Sequence, residues 1–163
     1  MMTKAWLSLG ANIGDPPAQL AEAIRRMGEN PALSVTKQSS VLMTKAWGKT
    51  DQPDFANMAV EVETSLQPID LLDVLLGIEL AMGRVRKEVW GPRLIDIDII
   101  AYDGVTMKTP RLTLPHPYAH ERDFVLTPLA EIAPDVNRLL ASRGRKCGFS
   151  ERLVTALSVH RQP

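Results

Sequence analysis

Hydrophobic and polar positions along the chain fall into short stretches with clear periods. Ala5 to Leu9 alternates apolar side chains and predicts a strand. Gly10 to Asp15 reads as a turn. Asp15 before Pro16-Pro17 marks a helix start, with a side-chain acceptor followed by proline in the first turn. Leu20, Ile24 and Met27 continue at helical spacing. Leu33 to Leu42 predicts a second extended run, and Phe55 to Thr64 a third. In the third, Met58, Val60 and Val62 share one face, while Phe55, Asn57 and Ala59 share the other. Pro68 opens a helix with Asp70 in its first turn and Gly83 at its end. Leu71, Leu72, Leu75, Leu76, Ile78 and Leu80 surround that helix, which predicts burial on more than one side. Leu94 to Tyr102 predicts a strand closed by the turn Asp103-Gly104, with Val105 to Leu114 as its partner. Glu121 to Ala133 and Ser150 to Val159 read as later helices, the second capped by Ser150. The order strand, helix, strand, strand, helix, strand predicts an α+β fold, with helices packed on an antiparallel sheet.

Composition narrows this picture. A length of 163 residues suits one domain, 1–163. Hydrophobic and charged fractions of 45% and 23% are ordinary globular values and argue against a disordered chain or a coiled coil. Nineteen Lys plus Arg balance 19 Asp plus Glu, so overall basicity gives no argument for nucleic acid. The single cysteine, Cys147, cannot close an intrachain disulfide. The richest apolar run, Leu71 to Met82, is interrupted by Asp73, Gly77 and Glu79 and falls short of a membrane span. Met1 to Gly10 lacks the pattern of a signal peptide. With no heptad or orphan apolar face in view, these features predict a cytoplasmic monomer with no membrane or nucleic-acid partner.

Local chemistry carries more. Asp96-Ile97-Asp98 lies within a predicted strand, so both carboxylates point the same way and Ile95, Ile97 and Ile99 point into the core. Two such anions, about 7 Å apart, repel each other unless a cation compensates. Mg²⁺ suits them, being hard, oxygen-seeking and commonly shared between one or two carboxylates and substrate phosphates. The plainer alternative is a solvated sheet face carrying two aspartates. Just upstream, Gly83 to Arg93 holds four basic residues and one acid, a local positive field suited to phosphate oxygens. Carboxylates beside an arginine loop suggest nucleoside triphosphate chemistry. His116, pinned between Pro115 and Pro117, could donate to a phosphate or a departing oxygen. Trp47, Phe55, Asn57 and Phe124 could form a flat slot with an amide edge for a planar heterocycle, or could simply be core. Gly48-Lys49-Thr50 ends like a phosphate-binding loop, but Met43 stands where that motif needs glycine. Gly10 to Gly14 lacks the glycine spacing of a dinucleotide fold.

Five segments, in order, resemble the 6-hydroxymethyl-7,8-dihydropterin pyrophosphokinases of folate biosynthesis. They are Leu9-Gly10-Ala11-Asn12-Ile13-Gly14-Asp15, Gln52-Pro53-Asp54-Phe55-Ala56-Asn57, Gly83-Arg84-Val85-Arg86, Trp90-Gly91-Pro92-Arg93-Leu94-Ile95-Asp96-Ile97-Asp98 and Leu114-Pro115-His116-Pro117. The likeness runs from about residue 4 to Pro134, and Trp90 to Asp98 is its most specific part. It implies a ferredoxin-like α+β fold. The implied reaction moves pyrophosphate from ATP to the pterin hydroxymethyl group, leaving AMP. By the same likeness Asp96 and Asp98 would hold two Mg²⁺ ions, and Arg84, Arg86 and Arg93 would meet phosphates. Arg84, Arg93, Asp96 and Asp98 would form the catalytic set. Thr44, Phe55 and Asn57 would grip the pterin with Asp96 beside it, Phe124 stacking on it and Trp90 closing over it. Glu79, Ile99, Leu112, His116 and Arg122 would line the ATP side. Asp98 is the best candidate for a general base. Two other readings stand beside this one: another Mg-dependent phosphoryl or nucleotidyl transferase, and a binding module without turnover.

Overall fold

The structure, a computed structural model, describes residues 1–45, 54–83 and 95–146. Strand β1 (Thr3–Ala11) leads into helix α1 (Pro16–Gly28). The Asp15 carboxylate accepts the Ala18 N–H at 3.2 Å, which satisfies one of the open donors at the helix start. Strands β2 (Leu33–Gln38), β3 (Leu42–Thr44) and β4 (Phe55–Thr64) follow, then helix α2 (Pro68–Ala81) and strand β5 (Asp96–Tyr102). Past α2, Gly83 takes φ +90°, a backbone conformation that suits glycine at a helix end. The sheet order is β2-β4-β1-β5 with antiparallel neighbours, and β3 pairs with the first residues of β4. This is the ferredoxin-like α+β arrangement.

The sheet separates two cores. On one face Leu7, Leu9, Met58, Val60, Val62, Ile97 and Ile99 are buried together with residues of α1 and α2. On the other, Trp6, Ala59, Ile100 and Ala101 pack with Val125, Leu129, Ile132 and Leu140. Those last four belong to helices α3 (Asp123–Ile132) and α4 (Pro134–Lys146). Trp6 donates its indole N–H to Glu61 at 3.0 Å, and the Thr36 hydroxyl donates to the same carboxylate at 2.8 Å. A buried acid is tolerated here because both of its oxygens accept hydrogen bonds.

Several expectations need correction. The run Leu33 to Leu42 is not one strand: residues 39–41 stand opposite only 58–59, and the ladder breaks there. Ser39 exchanges bonds with Ala59 at 2.9 and 2.8 Å. Ser40 gives its N–H and its hydroxyl to Glu131 of α3, at 3.0 and 2.7 Å. Serine side chains thus replace the regular ladder. Helix α2 buries one broad side through Leu71, Leu75 and Ile78, while Leu80 is 70% exposed.

Val105 to Leu114 is not the partner of β5. It folds on itself as β6 (Met107–Lys108) and β7 (Thr113–Leu114), closed by Thr109–Leu112 hydrogen bonds. The outer side of β5 instead gives its Ile100 carbonyl to the His116 N–H at 2.8 Å. Ile100 is an extra residue in the ladder, since Leu7 opposes Ile99 and Trp6 opposes Ala101. The bulge puts Ile100 and Ala101 in the second core and returns Tyr102 to the first. There the Tyr102 hydroxyl donates to the Leu66 carbonyl at 2.6 Å.

The helix expected over Glu121 to Ala133 begins as a 3₁₀ turn (Ala119–Glu121) and continues as α3. Helix α4 has no counterpart in the sequence reading. The helix expected at Ser150 to Val159 lies outside the described residues. Among the described residues, no helix is long and apolar enough to cross a membrane.

Candidate active site

Helix α3 covers only part of its face of the sheet. Beyond its N-terminus a shallow recess opens to solvent. Ser8 and Gly10 of β1, Phe55 and Asn57 of β4, Asp96 and Asp98 of β5, and Arg122 and Phe124 line it. Gly10 pairs with Asn57 on one side and with Asp96 on the other, and Ser8 pairs with Ala59 and Asp98. Period-two alternation therefore places an amide, a bare backbone and a carboxylate on one rung across three strands. A Cβ built on Gly10 would stand 3.0 Å from Asn57 Oδ1, tighter than ordinary packing, so the floor is open because this residue has no side chain. Asn57 donates Nδ2–H to Thr44 Oγ1 at 2.8 Å, which fixes the orientation of its amide.

Electrostatics divide the recess. Burial pushes the Arg122 guanidinium below its ordinary value, and the charges of Asp98 and Asp96 act in the opposite sense. Arg122 also lies 5.9 Å from the centre of the Tyr118 ring. His116 sits behind it, with its acidity shifted much further. Burial above all, then Arg122 and His120, pushes its imidazolium down to about 3. Its Nδ1 accepts the Tyr118 N–H at 3.2 Å, so the neutral ring carries its proton on Nε2. His116 is a neutral hydrogen-bond donor near physiological pH.

The expected residues do not all converge. Phe55, Asn57, Asp96, Asp98, Arg122 and Phe124 meet in the recess, and Thr44 supports Asn57. Glu79, Ile99 and Leu112 do not line it. All three are buried, Ile99 and Leu112 in the core on the α1 and α2 side of the sheet, and Glu79 accepts the Ile97 N–H at 2.7 Å. Trp47, Arg84, Arg86, Trp90 and Arg93 lie outside the described residues. Ser8 and Gly10 line the recess too, beyond the residues that the sequence pattern singles out. Their signal was there, since small residues alternate with Leu7 and Leu9 along an otherwise apolar strand.

Asp96 and Asp98 offer hard oxygens on one face, and among the described residues no cluster of three or more His, Cys, Asp or Glu could enclose a metal. That donor set fits Mg²⁺ completed by phosphate oxygens better than a cation held by protein alone.

Comparison with known proteins agrees with this geometry. The profile of the 7,8-dihydro-6-hydroxymethylpterin-pyrophosphokinase (HPPK) family matches residues 6–134. The 2-amino-4-hydroxy-6-hydroxymethyldihydropteridine pyrophosphokinase of Methylorubrum extorquens is 52% identical over 135 residues, covering 83% of this chain and 85% of that one. Its namesake from Bacillus subtilis is 44% identical over 134 residues, covering 82% and 80%. A crystal structure of wild-type Plasmodium falciparum HPPK-DHPS with pteroate superposes with a TM-score of 0.64 at 18% identity. It matches 88% of this chain but only 42% of that longer one, a likeness of fold. Because the matched region contains both the recess and the aspartate pair, the chain belongs to the 7,8-dihydro-6-hydroxymethylpterin-pyrophosphokinase family.

Proposed function

We propose that the recess holds 6-hydroxymethyl-7,8-dihydropterin with its hydroxymethyl group toward Asp96 and Asp98, where ATP meets it. The family reaction transfers pyrophosphate from ATP to that hydroxyl and leaves AMP. The rung Asn57, Gly10, Asp96 supports this placement best. It sets a hydrogen-bonding amide about 10 Å, two strand spacings, from a carboxylate across a flat floor. With Nδ2 committed to Thr44, Asn57 offers Oδ1 to a ring N–H or amino group. Phe55 and Phe124 supply apolar surface for the ring faces.

Asp96 and Asp98 would hold Mg²⁺ with the phosphates, and bound Mg²⁺ would offset charge on the transferring group. Two ions are the expected number. Arg122 directs a positive charge at the same region, and His116 offers Nε2–H without adding a charge. The phosphate-binding roles of Arg84, Arg86 and Arg93, and closure by Trp90, rest on the sequence resemblance. So do ATP-side roles for Glu79, Ile99 and Leu112. The sequence carries no heptad pattern, which supports a monomeric working unit. The lone Cys147 and the requirement for ATP support a cytoplasmic setting.

Phosphorus NMR of the chain with ATP, Mg²⁺ and the dihydropterin tests the reaction. AMP with a pyrophosphorylated pterin is expected. ADP would indicate a simple kinase, free pyrophosphate a nucleotidyl transferase, and intact ATP would overturn the assignment. The pterin placement has its own test. Gly10→Ala should weaken pterin binding about tenfold, because Asn57 must shift to admit the methyl group. Fluorescence titration reads this directly, and native affinity in the variant would move the pterin off this rung.

A further inference from the structure

Glu79 stands in the last turn of α2 and is only 2% exposed. Its carboxylate accepts the N–H of Ile97 at 2.7 Å, and Ile97 is the residue between the two aspartates. In the sheet β5 pairs with β1 alone, so its other edge is not covered by a strand of that sheet. A buried edge amide needs a partner from outside the sheet. Here a helix reaches across to hold it. The bond fixes the backbone at the point where the Ile97 side chain enters the core on the α2 side. Alternation then sends Asp96 and Asp98 out together on the opposite face.

We propose that Glu79 is a positioning residue that sets the spacing of Asp96 and Asp98 for a divalent cation. This rests on the metal reading above and gives Glu79 a role that needs no contact with ATP. The property that matters is the reach of its acceptor oxygen, with its charge secondary. Metal sites commonly depend on such supporting hydrogen bonds, whose loss weakens binding about 10- to 100-fold.

Two variants separate reach from charge. Glu79→Gln keeps an acceptor at the same distance and removes the charge, while Glu79→Asp keeps the charge and withdraws the acceptor by one methylene. Mn²⁺ is titrated into the full chain with α,β-methylene ATP and followed by water-proton relaxation, which reports metal held on protein without any turnover. Amide exchange of Ile97 by ¹⁵N NMR reports the hydrogen bond in the metal-free protein. Glu79→Gln should bind Mn²⁺ within about threefold of native and keep the Ile97 amide protected. Glu79→Asp should lose that protection and bind Mn²⁺ about tenfold more weakly or worse. Glu79→Gln binding as weakly as Glu79→Asp, or Glu79→Asp binding like native, overturns the role of Glu79. If the native chain holds no Mn²⁺, or Asp98→Asn holds it equally well, the metal reading fails and takes this proposal with it.

Discussion

Asp96→Ala and Asp98→Ala should each lower kcat/KM about a thousandfold or more, a loss of about 4 kcal/mol in transition-state stabilisation. Each substitution removes a hard oxygen from the position where charge gathers during phosphoryl transfer. The fold should survive, because Ile95, Ile97 and Ile99 carry the packing of this strand on its other face. Removing one of two carboxylates about 7 Å apart relieves their repulsion but also takes a compensating charge from the buried Arg122, so thermal stability should change little. AMP production under saturating Mg²⁺, paired with a melting curve, checks both parts. Turnover within tenfold of native in either variant would sink the assignment. Asp96→Asn and Asp98→Asn should behave alike, since an amide keeps the shape and loses the ligand charge.

Acid stability should show the second large effect. The His116 ring is held neutral in the folded chain down to about pH 3, while an unfolded histidine takes up a proton near 6.5. Below pH 6.5 the unfolded state therefore binds a proton that the folded state refuses. Folding stability falls as pH drops from 6.5 toward 3, with no further loss from this group below that. The full shift corresponds to about 5 kcal/mol, and residual solvent contact brings the expected loss to about 2–4 kcal/mol. His116→Asn can still accept the Tyr118 N–H but cannot titrate. Urea unfolding of both proteins at steps from pH 7 to pH 4 isolates the effect. Native should lose stability faster than the variant over that window, and parallel curves would refute the buried neutral ring.

Much of the sheet can be read from period-two alternation. Phe55 to Thr64 forms β4 with the expected boundaries; Met58, Val60 and Val62 share the first core, while on the other face Ala59 joins the second core and Phe55 and Asn57 line the recess. The aspartate pair and the buried Ile95, Ile97 and Ile99 are legible for the same reason. Tertiary hydrogen bonds are not written in local pattern. The break at 39–41 depends on Glu131, some ninety residues away. The hairpin of β6 and β7 was hidden because Asp103-Gly104 signals a turn without saying where the following chain will pair. Helix α4 was missed because its burial centres on Leu140 while Leu139 is 60% exposed, too thin an apolar stripe to stand out. The recess itself was half legible. Its charged and aromatic side chains announce chemistry, whereas Gly10 contributes by having no side chain. Glu79 reads in one dimension as an interruption of an apolar helix. Its meaning depends on which backbone it faces.

The bulge in β5 makes chain length itself a carrier of information. Removing Ile100 would leave a perfectly regular ladder, with Ile99 opposite Leu7, Ala101 opposite Trp6, and every remaining side chain on its present face. Pairing rules alone would favour the shorter strand. What that deletion would erase, beside one buried side chain of the second core, is a carbonyl, the one that accepts the His116 N–H and moors the segment behind Arg122. A one-residue insertion that gives the sheet no extra pairing can thus persist for the sake of a loop, and an alignment gap at this position would mark a change at the recess wall rather than a harmless trim.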